Sequence, residues 1–539
     1  MKLKIMNNIF KYAAISACAV LSMTSCDDFL DKLPDDRAEL NTEEKINKFL
    51  VSAYPSATNA MVMETSSDNM TDNGSSYSTT LLMEQLYRFQ KVEDQNNDSP
   101  YFLWNRYYES VATANEALAA INRLGGPDAM RPQWAEAKLC RALSMFMLAN
   151  TFCMGWNPEK ADEYLGLPYP LEPAKNIYEV YTRGTLRELY SKINKDIEDA
   201  LPYVSEDHYS VPKYHFNVKA AYAFAARFNL YYMNYDKCVE YASKVLGDEP
   251  TSVLRDFEPY TKFGREDIAS QYIRSSEKAN LMLLAVNSGA GRYLCSGSSP
   301  RFKHNYTIIA YETYWVDCPW GSGSGGSAGL NTLYYASMIY GNNQCATFPK
   351  FDEIFEYTDK INGTGFAHVV DNIFTGDETL LCRAEAYALK KDYDKAVADI
   401  NLWISTHCKE KDEDGGTVLM RPVLTVQDVD NFIESLEYAP VVPEGSRDRS
   451  MRKTFNPQGF TVEAGTQENM LQLILHMRRI ETMFQGMRFV DLKRYGIEYS
   501  HLVAGEDPVT FKAGDLRGAI QLPDDVIMAG IEANPRDVE

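Results

Sequence analysis

Apolar residues recur at three- and four-residue intervals through long stretches of this chain. Between Ser99 and Leu124 they fall at Phe102, Tyr108, Val111, Ala114, Leu118 and Ile121. That spacing lines one face of a helix, and Gly125-Gly126-Pro127 stops it. Helical patterns follow over Trp134 to Met154 and Tyr181 to Val204. Two later stretches, Val218 to Gly247 and Glu378 to Ile404, align at a constant offset of 158 residues. Ala226 then matches Ala384, Tyr235 matches Tyr393, Asp236 matches Asp394 and Val239 matches Val397. Each copy predicts helix, short turn, helix. The alanine lets the two helices approach, and the tyrosine fills the gap at the turn. A partial echo, "LCRA", occurs at Leu139 to Ala142 and again at Leu381 to Ala384.

Such a unit resembles the tetratricopeptide helix pair, whose repeat is about 34 residues. Two unrelated amphipathic pairs are the alternative. The periodicity fails over residues 55–80, 285–350 and 405–466, which are polar or mix glycine, serine and aromatics. A mostly α-helical scaffold carrying long loops is the architecture this implies, and loops on a rigid scaffold are where ligand contacts usually sit.

The amino terminus has a different character. Lys2, Lys4 and Lys11 precede an apolar run from Tyr12 to Met23. That run is shorter than the roughly 20 residues a membrane-spanning helix needs, and it has the layout of a secretory signal. The small residues Thr24 and Ser25 then lead into Cys26, followed by Asp27 and Asp28. This arrangement predicts a lipoprotein signal over residues 1–25, with Cys26 acylated as the first residue of the mature chain; an ordinary signal peptide with a chance cysteine is the alternative. Two or three acyl chains anchor a protein stably.

Charge narrows the class further. The chain has 54 basic and 75 acidic residues, a formal net charge of −21, and residues 1–25 contribute only lysines to that total. So acidic a chain is a poor partner for nucleic acid or anionic lipid. Apart from Cys18 and Cys26 the cysteines are scattered, with no C-x-x-C. Cys140, Cys153, Cys238 and Cys382 lie in helical patterns and read as small buried hydrophobes. Pairing among Cys295, Cys318 and Cys345 stays open in an oxidising compartment.

The run Trp320 to Gly329, "WGSGSGGSAG", lacks the Lys-Ser/Thr ending of a phosphate loop. Its surroundings hold Tyr306, Tyr311, Tyr314, Trp315 and Trp320. Flat aromatic faces stack on the C–H faces of sugar rings while polar loop groups take the hydroxyls; packing under their own loop is the alternative for each ring. Trp104, Trp134 and Trp403 sit in helical patterns and read as core. The expected glycan platform is Trp315, Trp320, Tyr311 and Tyr314, with Tyr77, Asp68 and Asp72 at its edge. On this reading Trp320→Ala abolishes sugar binding and leaves helicity unchanged.

Metal signals are weak. The histidines are dispersed, and "DEDGG" (Asp412 to Gly416) lacks the glutamate that closes a calcium loop, Arg421 standing there instead. "SDNMTDNG" (Ser67 to Gly74) has oxygens enough for a structural calcium, although such runs are usually solvated turns. No other cofactor is expected. No nucleophile-elbow motif is present, and nothing in the chain requires an enzyme.

The carboxy-terminal segment Leu473 to Gly496 interleaves Arg479, Glu481, Arg488, Asp491 and Arg494 with apolar positions and reads as one helix. Arg488, Asp491 and Arg494, at i, i+3 and i+6, can share charge on one face. Together with "SCDDFLDKLP", the helix pairs and the ending "QLPDDVIMAGIEANPR", the run "RRIETMFQGMRFVDLKRYG" resembles the SusD/RagB family of outer-membrane nutrient-binding lipoproteins. Met477, Gln485, Phe489 and Tyr495 depart from that family's usual residues.

The resemblance implies a single domain from residue 26 to 539. Its helix-pair scaffold would lie mainly in 40–250 and 378–404, its loop-rich inserts in 285–350 and 405–466, and its family helix in 470–496. It also implies a lipid-anchored surface protein of the outer membrane that passes oligosaccharides, or in some members peptides, unaltered to a SusC-like TonB-dependent transporter. A scaffold that binds only proteins and a surface glycosidase are the rival classes. The first would have no sugar affinity and buried loop aromatics; the second would release product.

Overall fold

The computed structural model describes residues 40–175, 181–296, 300–323, 329–342, 345–351 and 353–536. Cys26 and the signal segment lie outside the described residues.

The longer helices follow the apolar periodicity. They are α1 (Pro100–Arg123), α2 (Arg131–Phe152), α3 (Leu186–Ala200), α4 (Val218–Tyr231), α5 (Tyr235–Leu246), α6 (Gly376–Leu389), α7 (Tyr393–His407), α8 (Val426–Glu434), α9 (Thr466–Glu481) and α10 (Met487–Tyr495). α1 starts where Ser99 Oγ accepts the Phe102 N–H at 3.2 Å, with Pro100 in the first turn; both satisfy helix-start chemistry. Its buried positions Leu103, Tyr107, Val111, Ala114, Leu118 and Ile121 lie along one face, and α1 packs against α2. α2 is buried on almost every side from Ala135 to Phe152. α3 opens with a reciprocal capping box between Thr185 and Glu188, which satisfies two end donors at once.

The two sequence copies are α4–α5 and α6–α7, and α5 packs against α6, so the pairs stack. Ala226 and Ala384 are both fully buried. Their turns match in detail: Met233 and Lys391 adopt left-handed φ values of 63° and 64° at equivalent positions. Trp104 and Trp403 are buried, and Trp134 is half-buried.

Short strands decorate this scaffold. β1 (Thr71–Asp72) pairs with β3 (Phe302–Lys303), and β2 (Asn280–Val286), β5 (Thr364–Thr375) and β4 (Ile354–Asp359) form a three-stranded antiparallel sheet in that order. "DEDGG" is a hairpin turn: β6 (Lys411–Asp414) pairs with β7 (Thr417–Met420) around Gly415 and Gly416, at φ 54° and 85°. Two positive φ values in a two-residue hairpin loop favour glycine, which explains the run without an ion.

The carboxy-terminal family segment is two helices rather than one. α9 ends at Glu481 and α10 begins at Met487, with Phe484 at φ 68° and Gly486 at φ 77° between them. A Cβ at Gly486 would meet the Met63 side chain at 2.9 Å, so the close approach also demands glycine. The break redirects the charges. Arg494 pairs with Asp491 at 2.9 Å as the spacing predicts, but Arg488 turns away to Asp68, 2.7 Å distant. Asp491 is met from α9 instead, by Arg478 at 3.2 Å.

Cys140, Cys153, Cys238, Cys295, Cys318, Cys382 and Cys408 are buried free thiols; the Cys345 side chain lies outside what is described. Among the described residues no helix is long and apolar enough to cross a membrane.

Candidate functional site

Two loop segments more than 200 residues apart meet beside the helical scaffold. The β1–β3 pairing sets Thr71 against Lys303 and Asp72 against Phe302, and Ser78 bridges to Pro300. Arg301 forks both oxygens of Asp72, at 2.9 and 2.8 Å. The Asn73 N–H donates to the Arg301 carbonyl at 2.7 Å, and Asn305 Nδ2 donates to Asn73 Oδ1 at 2.8 Å.

Asn305 also caps a short helix, Tyr306–Tyr311, by accepting the N–H groups of Thr307 and Ile308. That helix carries Tyr306 and Tyr311, both half-buried. Trp315 meets the Tyr306 ring edge-on, with centroids 5.3 Å apart. Tyr77, on the facing loop, is half-buried too. Partly exposed rings beside amide and guanidinium groups are what a neutral polar ligand requires.

The expected platform residues divide sharply. Tyr311 and Tyr77 reach the surface; Trp320, Tyr314, Trp315 and Asp68 do not. Trp320 is 1% exposed, with its ring against Trp403 and stacked on His476. Tyr314 is 2% exposed, stacks on Tyr335 and donates its hydroxyl to the Ile480 carbonyl at 3.0 Å. The Trp315 indole N–H donates to the Ala336 carbonyl at 2.9 Å. The glycines around Trp320 cannot cover it, but α7 and α9 can, and they do. Gly321, at φ 126°, lets the chain turn there, since a Cβ would lie 2.3 Å from the Leu330 carbonyl.

Asp68 and Asp72 are committed to arginines. Arg488 takes both Asp68 oxygens at 2.7 Å, and Arg479 donates to the Asp68 carbonyl and to Asn69 Oδ1. Arg479 also reaches Glu312 at 3.1 Å, where Lys453 (3.0 Å) and Arg449 converge. Burial by itself would raise the Asp68 pKa, but Arg479 and Arg488 more than reverse this and hold it well below the carboxylate range. Glu312 is likewise held low, burial being outweighed by Lys453, Arg479 and Arg449. Both carboxylates are therefore ionised, buried and fully engaged, and the Asp68, Asn69 and Asp72 oxygens of "SDNMTDNG" that sequence offered to calcium serve arginines. Paired in this way they suit packing rather than acid–base work.

Arg301 and Asn73, which line this surface, and Asn305, which braces it from beneath, were not legible in the sequence. Asp72 and Arg301 are 229 positions apart, and no local pattern links them.

Comparison with known proteins places the chain. A family model described as "SusD-like_3: Starch-binding associating with outer membrane" matches residues 28–230. No curated protein sequence matches. Among solved structures, a putative sugar binding protein from Bacteroides vulgatus aligns with a TM-score of 0.61 at 14% identity, covering 93% of this chain and 100% of that one. A SusD superfamily protein from Bacteroides thetaiotaomicron aligns at 0.59 and 17%, covering 92% and 99%. A SusD-like carbohydrate binding protein from Bacteroides vulgatus aligns at 0.58 and 14%, covering 90% and 96%. At such identities the structural likeness carries the fold. The likeness to the SusD-like family model covers residues 28–230, and the likeness in fold to these structures covers nearly the whole chain.

Proposed function

We propose that this protein captures oligosaccharide or polysaccharide at the outer membrane and delivers it unaltered to a SusC-like TonB-dependent transporter. The observation that carries the reading is the alignment of both halves, helix pairs and loops, with SusD-like structures that include a carbohydrate binding protein. The family model's description, starch-binding and associating with outer membrane, supports the ligand class and the location. Anchorage would come from acylated Cys26. A Cys26→Ser chain should move from the membrane to the soluble fraction on cell fractionation.

The ligand face on this reading is the meeting of residues 71–78 with 300–315. Tyr306, Tyr311 and Tyr77 would offer ring faces, and Asn73 and Arg301 would line the edges. Calorimetric titration of the chain starting after Cys26, against neutral and acidic polysaccharides and peptides, tests this, with each mixture checked for cleavage. Binding of one glycan class without product is the expected result; release of shortened glycan would make it a glycosidase, and binding of peptides alone would change the ligand class. A Tyr306→Ala, Tyr311→Ala double variant should then bind about tenfold more weakly, a loss of roughly 1.4 kcal/mol for two truncated contact rings, with an unchanged melting temperature. Undiminished affinity would move the site elsewhere.

A further inference from the structure

We propose that Asp377, His407 and Glu481 form a buried site for one divalent transition-metal ion, zinc by its donor set. Asp377 lies in the first turn of α6, His407 ends α7 and Glu481 ends α9. They are 0%, 3% and 7% exposed, and their candidate donor atoms all lie within 4.8 Å of one another.

The imidazole orientation is set from behind. His407 Nδ1 lies 3.0 Å from the Trp403 carbonyl, which can only accept, and 2.9 Å from the Thr406 hydroxyl, which gives its own hydrogen to the same carbonyl at 3.2 Å, so the Nδ1–H is placed toward these two acceptors. That leaves Nε2 aimed forward, 3.0 Å from Glu481 Oε2 and 3.9 Å from Asp377 Oδ1. A tetrahedral zinc with bonds near 2.0–2.1 Å spaces its ligands by about 3.3 Å, within the range these atoms span. The carboxylates are held as metal ligands usually are. The Trp403 indole N–H donates to Glu481 Oε2 at 3.0 Å, and the Arg255 backbone N–H donates to Asp377 Oδ1 at 2.9 Å. The other Asp377 oxygen has no hydrogen-bond partner.

A second observation comes from outside the cluster. Tyr335 is 8% exposed, yet its hydroxyl has no hydrogen-bond partner. It lines a small cavity of about 20 Å³ together with His407 and Glu481. That is room for one water, beside two of the three ligands, where a metal-bound water would satisfy the tyrosine. The two cations nearby are otherwise engaged. Lys350 donates to the Glu481 carbonyl and Gln485, and the Arg255 guanidinium donates to Tyr260, the Tyr272 carbonyl and Asn280. The ion would tie the α6–α7 pair to α9, beside Trp403, whose ring stacks on His407.

Because the site is closed, the chain is unfolded in denaturant with chelator, refolded with zinc, manganese or calcium or with no metal, then dialysed and assayed for bound metal. About one zinc per chain, with a raised melting temperature, is the expected result, together with its absence from His407→Gln and Asp377→Asn. Wild-type protein refolded in zinc that carries no ion above background overturns the proposal, as does a ¹⁵N shift showing His407 protonated on both nitrogens, the shared-proton alternative. Should either variant fail to refold, anomalous scattering at the zinc edge from wild-type crystals decides. A peak between the three side chains supports the site, and its absence overturns it.

Discussion

Glu385→Gln should lower the unfolding free energy by about 3–5 kcal/mol, read from urea denaturation of the soluble chain. Glu385 sits on α6 with no exposure. One oxygen accepts from Arg494 at 2.7 Å and from the Tyr495 hydroxyl at 2.8 Å, and the other faces Arg478 Nε at 3.2 Å. Arg478 and Arg494 both continue to Asp491, while Arg227 pairs with Glu378 at 3.1 Å. Three arginines and three carboxylates thus share one dry interior between α4, α6, α9 and α10. Removing one negative charge there leaves three guanidinium groups with two carboxylates, and burial keeps solvent from screening the excess charge. Glutamine preserves shape and can still accept one bond, so the loss isolates charge from packing. The exposed Lys48–Glu44 pair is the control; Glu44→Gln should change nothing measurable, because solvent screens it. A loss at Glu385 below about 1 kcal/mol would mean that the network is hydrated, contrary to its burial.

Trp320→Ala should cost a similar amount, about 3–5 kcal/mol for a large aromatic removed from a packed interior, while leaving the glycan affinity of the folded fraction intact. This reverses the expectation drawn from the loop's composition. The indole fills the space between Trp403 on α7 and His476 on α9, and the Trp320 carbonyl accepts both the N–H and the hydroxyl of Thr332 at 2.8 Å. Truncation opens a cavity against helices that cannot collapse into it. Thermal unfolding and calorimetry on the same preparation separate the two outcomes. Lost affinity at an unchanged melting temperature would return Trp320 to the ligand face.

The helices and their pairing were legible because they are local. A 3.6-residue periodicity, the stop at Gly125-Gly126-Pro127 and the matched turn residues Tyr235 and Tyr393 all act within a few positions of themselves. The carboxy-terminal charges were legible as a network but not in their pairing, because one positive φ at Phe484 and another at Gly486 bend the segment into two helices. Candidate ligand residues were the least legible. Whether an aromatic in a glycine-rich loop is a platform or a plug depends on what packs over it. For Trp320 the cover comes from residues 83 and 156 positions away. The same holds for Asp377, His407 and Glu481, which no spacing in the chain connects.

By itself, then, the sequence determined a helix-pair scaffold with long loops, because helix formation and stacking are written in short-range apolar spacing. The tertiary structure alone decided which aromatics and carboxylates face solvent. Burial is a property of contacts between distant segments, and composition within a loop carries no record of them.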